Sequence, residues 1–176
     1  MDIPDIKLLK PNIFKDDRGY FFESFNVDKF SEIIGRKIDF IQDNYSVSQK
    51  DVVRGLHYQL NTPQAKLIQV IKGEIFDVAV DLRQSSPTFG KWVGYILSEE
   101  NRFQMFIPEG FAHGFLTLSA KSEVLYKVNA PYNPDDEKTV IWNDPTLNIS
   151  WPIKKNPILS NRDKNSPVLH INSCYK

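Results

Sequence analysis

The chain contains three histidines, His57, His113 and His170. The first lies in Arg54-Gly55-Leu56-His57-Tyr58-Gln59, three residues beyond a cation and nine before Lys66. Cations near a partly buried imidazole favour its neutral, proton-accepting form. The same pattern suits a core histidine bonded to a backbone carbonyl, and position alone leaves both readings open. In a plain strand Gly55, His57 and Gln59 face one way and Arg54 the other. For Arg54 and His57 to serve one cavity the chain must twist or bulge at Gly55, which glycine permits. Tyr126 shares a strand face with Val124 and Val128. It is either an aromatic filling a core or a phenol placed to give or take a proton. Asp163, beside Arg162, reads by itself as a solvated loop carboxylate, and His170, between Leu169 and Ile171, as structural.

His113 stands in Pro108-Glu109-Gly110-Phe111-Ala112-His113. A Pro-x-Gly-x-x-His string is one half of the metal signature of cupin barrels. The other half needs two histidines one residue apart, and here that place reads His57-Tyr58-Gln59. A catalytic metal usually takes three protein ligands, so no metal is expected, and His113 is read as a structural donor or a ligand contact. Near the N-terminus Arg18 and Glu23 flank Tyr20, Phe21 and Phe22. Surface charge is the ordinary reading. Such a group can also stack a base, bind phosphate and pair with a ring N–H.

These side chains must be positioned mainly by strands. In residues 66–82, Ile68, Val70, Phe76, Val78, Val80 and Leu82 share one parity, and Gln69, Asp77 and Asp81 the other. Lys72-Gly73-Glu74 between them reads as a hairpin turn. Further short aromatic and β-branched runs, punctuated by Gly, Pro or Asn, argue for an all-β sandwich or barrel. One short helix is expected over 27–35, with Val27, Phe30, Ile33 and Ile34 on one face, Asp28 as a start cap and Gly35 as the stop. From about residue 143 the chain reads as an irregular strap with one or two short turns, tied down by Trp151 and the Ile158-Leu159 pair.

With 176 residues, a single domain over 1–176 is expected. Twenty-two basic and 22 acidic residues cancel, which gives no reason to expect nucleic-acid or membrane-surface binding. The lone Cys174 forms no internal disulfide. No signal-type apolar core opens the chain, and no apolar run approaches the roughly 20 residues of a membrane helix. A cytoplasmic protein is the expectation.

Nine strings occur in order: DDRGYFFESF, QDN, RGLHYQ, PQAKLIQVIKGEIFDVAVDLR, SPTFGKW, IPEGFAHGF, EVLYK, WNDP and LSNRD. Together, from about residue 8 to 168, they closely resemble the dTDP-4-dehydrorhamnose 3,5-epimerase family. The resemblance implies a cupin-type jelly-roll β-barrel, a homodimer and no metal or cofactor. It implies epimerisation at C3 and C5 of dTDP-4-dehydro-6-deoxy-D-glucose in dTDP-L-rhamnose biosynthesis. By the same resemblance His57 is the base, Asp163 its partner carboxylate, Tyr126 the acid, and Lys66 the group beside the ketone oxygen. Arg18, Phe21, Glu23, Gln42, Asp43 and Asn44 match nucleotide contacts, and Arg54 a diphosphate contact. His113, Glu137 and Arg162 match further substrate contacts. Arg162 stands where the family often has Lys, and the two are not interchangeable in geometry. A single-carbon epimerase and a non-catalytic nucleotide-sugar module are the alternatives. The second requires one of His57, Tyr126, Lys66 or Asp163 to be missing or misplaced.

Overall fold

The computed structural model describes residues 3–176. The strands are β1 (Lys7–Leu9), β2 (Phe14–Asp16), β3 (Gly19–Phe21), β4 (Gln42–Gln49), β5 (Val53–Gln59), β6 (Lys66–Lys72), β7 (Glu74–Asp81), β8 (Trp92–Ser98), β9 (Gln104–Ile107), β10 (Phe111–Thr117), β11 (Lys121–Val128) and β12 (Glu137–Thr139). Helix α1 spans Val27–Ile34, α2 spans Asn161–Lys164, and a 3-10 turn spans Ile171–Ser173.

One sheet runs β1-β9-β6-β11-β4 and the other β12-β5-β10-β7-β8, with β2-β3 as a separate hairpin. The expected cupin-type barrel is therefore corrected to a two-sheet sandwich. Among the described residues no strand belongs to both sheets, and β1, β4, β8 and β12 are edges. The sheets close by packing faces, not by hydrogen bonding around a circle. Ile68, Val70, Met105 and Val124 of the first meet Ile75, Ala79, Phe111 and Phe115 of the second in one core.

The turn at Lys72-Gly73-Glu74 is also corrected. It passes the chain from β6 in the first sheet to β7 in the second, so the two strands are not a hydrogen-bonded hairpin. Consequently Phe76, Val78, Val80 and Leu82 do not share a core with Ile68 and Val70. They face the other way, against Leu147, Ile149, Trp151 and Cys174 of the strap. The second sheet is covered on both sides, so β7 is apolar on both faces and carries no clean alternation.

The strap follows its expected course with one change of detail. Trp151 packs edge-on against Phe76 and donates its Nε1–H to Trp142 O. Ile158 contributes backbone, accepting from Val53 N and donating to Asp51 O, while its side chain stays exposed. Burial of such side chains, roughly 1.5–3 kcal/mol each, outweighs exposed ion pairs worth about 0–1 kcal/mol. The Lys155–Asp51 pair is of the second kind. Helix α1 ends at Gly35, φ 78°, as expected, but Asn26 replaces Asp28 as its cap, accepting from the N–H groups of Asp28 and Lys29. Phe30 of this helix packs with Phe106 on the outer face of the first sheet. Among the described residues no helix is long and apolar enough to cross a membrane.

Candidate active site

The bulge expected at Gly55 is present. On β5 and β10, His57 pairs with His113 while Arg54 pairs with Phe115, so three steps on one strand oppose two on the other. Gly55 has φ 106°, and a Cβ there would lie 2.5 Å from His113 O. Only glycine suits both the backbone angle and the close approach. The extra residue lets Arg54 and His57 line one cavity of about 350 Å³ at one end of the sandwich. This volume is in the range of small-ligand sites.

His57 Nε2 lies 2.5 Å from Asp163 Oδ1. Asp163 is not the solvated loop carboxylate that its neighbours in sequence suggest: it is buried in the first turn of α2. Its second oxygen accepts from Ser160 Oγ at 2.9 Å, and its own N–H donates back to that hydroxyl. Burial opposes its ionisation, but the His57 ring, Ser160 and the Gly55 N–H together hold the carboxyl below its ordinary value. A carboxylate there accepts, so Nε2 carries the proton and Nδ1 presents its lone pair. Nδ1 is 3.8 Å from Glu137 Oε1. Glu137 is itself held by Tyr132 Oη at 2.8 Å and by Arg162 Nη1.

Tyr126 stands on the facing sheet. In β11 it sits between Asn44 of β4 and Ile68 of β6. Its hydroxyl has no hydrogen-bond partner among the described residues, and its ring borders the inter-sheet core. Burial pushes its pKa up, more than the Arg54 charge pulls it down, so the phenol stays protonated. Lys66, at the start of β6, is buried and donates to Gln64 Oε1 at 3.0 Å. Burial lowers its pKa to about 8, with Glu137 opposing. Gln42 and Asn44 line the same cavity from β4 and bond one another at 2.8 Å. Arg54 is braced by Ser48 Oγ at 2.9 Å and Val47 O at 3.1 Å.

His113 also lines the cavity, with its Nε2 2.7 Å from Asp77 Oδ1. Asp77 is fully buried and its Oδ2 has no partner among the described residues; burial drives its pKa up. Among the described residues no three His, Cys, Asp or Glu side chains converge as a metal-binding group.

Four expected contacts lie elsewhere in the single chain. Arg18 is exposed on the β2-β3 hairpin and pairs with Asp16, and Phe21 is 69% exposed. Glu23 bonds Lys29 and Asn26 in a separate groove. Asp43 alternates with Gln42 and Asn44, so it faces outward and pairs with Lys127. Conversely, Gln64, Tyr132 and Phe115 line the cavity without having been anticipated. Gln64 was legible, two residues from Lys66 on the same strand approach. Tyr132 sits in an irregular loop and carried no local signal.

A family model described as dTDP-4-dehydrorhamnose 3,5-epimerase matches residues 1–170. The enzyme of that name from Salmonella typhimurium is 53% identical over 168 residues, covering 95% of this chain and 92% of that protein. The chain is similar to a Legionella pneumophila dTDP-6-deoxy-D-glucose-3,5-epimerase solved with dTDP-4-keto-L-rhamnose. The TM-score is 0.96 at 45% identity, over 100% of this chain and 95% of that one. A 3'-monoepimerase of Streptomyces bikiniensis solved with dTDP-quinovose is also similar, with TM-score 0.90 at 33% identity over 98% and 87% of the two chains. A match of this depth over nearly every residue leaves one assignment: the chain belongs to the dTDP-4-dehydrorhamnose 3,5-epimerase family.

Proposed function

We propose that His57 and Tyr126 exchange protons with opposite faces of a hexose lodged between the two sheets. The chain is an isomerase: it inverts C3 and C5 of dTDP-4-dehydro-6-deoxy-D-glucose to give dTDP-4-dehydro-L-rhamnose. Both carbons are α to the C4 ketone, so each proton is acidified by the enolate that its loss creates. Inversion requires removal from one face and delivery to the other. One observation carries the assignment of roles: His57, bonded to Asp163 of α2, stands on the second sheet and Tyr126 on the first, and both line one cavity.

In this reading His57 Nδ1 takes the proton, and Asp163 holds the tautomer and stabilises the imidazolium. Lys66 donates to the developing oxyanion. Tyr126, kept neutral by burial, returns the proton from the other side. Arg54 anchors the diphosphate, Gln42 and Asn44 contact the nucleotide, and His113, Glu137 and Arg162 bound the sugar end. Arg54 and His57 thus measure the span from phosphate handle to reacting ring. No net oxidation occurs, so the chemistry calls for no redox cofactor.

Tyr126→Phe separates the two half-steps. Proton NMR in heavy water is expected to show continued exchange of substrate C3 and C5 protons, with net inversion slowed about 10²–10⁴-fold. Full-rate inversion at both carbons in this variant places the acid elsewhere.

A homodimer belongs to the same proposal, as does a cytoplasmic location. Phe14, Tyr20 and Phe21 are all more than half exposed on the β2-β3 hairpin, a concentration of aromatic surface that favours a covering partner. Arg18 and Glu23 then serve nucleotide recognition across the dimer and not within one chain. Sedimentation velocity is expected to give twice the mass of the chain; a monomer that binds dTDP at full affinity removes this part of the reading.

A further inference from the structure

Two connections cross from sheet to sheet beside the cavity. Residues 60–65 lead from β5 to β6, and residues 129–136 lead from β11 to β12. The first delivers Gln64 and Lys66, and the second Tyr132 and Glu137, all of which line the cavity. They are stitched together mainly by side chains. Buried Asp136 accepts the Asn61 N–H at 2.9 and 3.0 Å, Asn61 Nδ2 at 2.7 Å, the Thr62 N–H at 2.7 Å and Thr62 Oγ1 at 2.8 Å. Buried Gln59 donates to Thr62 O at 2.8 Å and Pro131 O at 3.2 Å, and accepts from Asn133 N at 2.8 Å. Gln64 Nε2 donates to Ala130 O at 2.9 Å while its Oε1 accepts from Lys66.

We propose that Asp136 is a positioning residue for the epimerisation: by clamping the two inter-sheet connections it sets the gap across which His57 faces Lys66 and Tyr126. The inference rests on the base and acid roles given above. Asp136 touches none of the reacting groups, but both edges of the gap hang from the segments it joins. Burial opposes its ionisation, yet the donors of Asn61 and Thr62 hold its pKa down to about 2, so the clamp is charged throughout the working range. In either orientation an asparagine amide turns its NH₂ toward the Asn61 N–H, and the charge that strengthens every bond of the set is lost.

Widening the gap has a distinctive consequence. His57 is held by Asp163 and Ser160 at α2, with which Asp136 makes no hydrogen bond, so proton abstraction persists. Delivery from the opposite sheet weakens, and His57 more often returns a solvent deuteron to the face it came from. Displacement on the order of 1 Å costs about 100-fold in such a step. In heavy water, Asp136→Asn is therefore expected to raise the ratio of deuterium in recovered substrate to deuterium in product by about tenfold. General destabilisation lowers both in proportion and leaves the ratio unchanged; an unchanged ratio overturns the proposal.

Thr62→Val, which removes one of the donors at nearly constant volume, keeps the test open if Asp136→Asn does not fold. It is expected to move the ratio the same way by a smaller factor, and an unmoved ratio counts against the clamp equally. Tyr126→Phe, run alongside, distinguishes the two levels of the argument. If it raises the ratio while the Asp136 and Thr62 variants do not, the acid–base reading stands and the positioning role falls. If Tyr126→Phe leaves the ratio unchanged, both fall together.

Discussion

His57→Asn reduces solvent deuterium incorporation at both C3 and C5 to background while dTDP binding stays near the wild-type level. Asparagine retains much of the side-chain volume and can still donate to Asp163, so the buried carboxylate keeps a partner. What it lacks is a lone pair of the right basicity. General acid–base catalysis typically contributes about 10²–10⁴-fold, and in the proposed mechanism one base serves two carbons, so the losses at C3 and C5 must move together. The nucleotide contacts proposed for Arg54, Gln42 and Asn44 are braced by Ser48, Val47 and one another, not by His57. Isothermal titration with dTDP, beside proton NMR of the keto sugar in heavy water, checks both halves. Measurable exchange at either carbon removes His57 as the common base.

Lys66→Met carries the second large effect, and its sign differs between activity and stability. In its proposed role as donor to the developing oxyanion, the Lys66 ammonium would contribute about 3–4 kcal/mol of barrier lowering, or roughly 10²–10³-fold in rate. Burial holds its pKa at about 8, below the ordinary 10.5 of a lysine, with the Glu137 charge pulling the other way. The native chain therefore releases this proton before the unfolded chain does. From about pH 8 to 10.5 the unfolded state binds more protons, and this group's contribution to stability rises with pH. Below pH 8 the native state carries the whole penalty, about 3 kcal/mol. Wild-type kcat/KM is accordingly expected to decline above about pH 8, as the ammonium becomes an amine. The methionine variant is slow at every pH, lacks that limb, and melts higher at neutral pH because no charge is buried. A variant with wild-type rate, or one that keeps the same alkaline limb, rules out this role for Lys66.

Much of the site was legible before folding because it is written in short strings. RGLH places a cation and an imidazole three residues apart with a glycine between them, and the bulge follows from the demand that both serve one cavity. Asp163 was not legible from its neighbours. The sequence Asn161-Arg162-Asp163 looks like any solvated turn, and only packing of α2 against β5 buries the carboxylate at His57. Only the resemblance of the whole chain to a family pointed to it. Asp77 is the converse: it was visible as a polar position in an apolar strand, but its partner, His113, lies 36 residues away on the adjacent strand β10.

The fold divides in the same way. Short runs of β-branched and aromatic residues separated by Gly, Pro and Asn determined by themselves that the chain is built of strands, and Gly35 ended the one substantial helix where expected. Local patterning reports how a strand presents its faces, but not which strand lies beside it or what covers its far side. The tertiary structure alone decided that Gly73 carries the chain between sheets, that the sheets stay open at their edges, and that the strap buries a second face of β7. These outcomes depend on pairing and burial between residues far apart in sequence. So does the placement of His57 and Tyr126 on facing sheets around one cavity, which no string of neighbours encodes and on which the proposed chemistry depends.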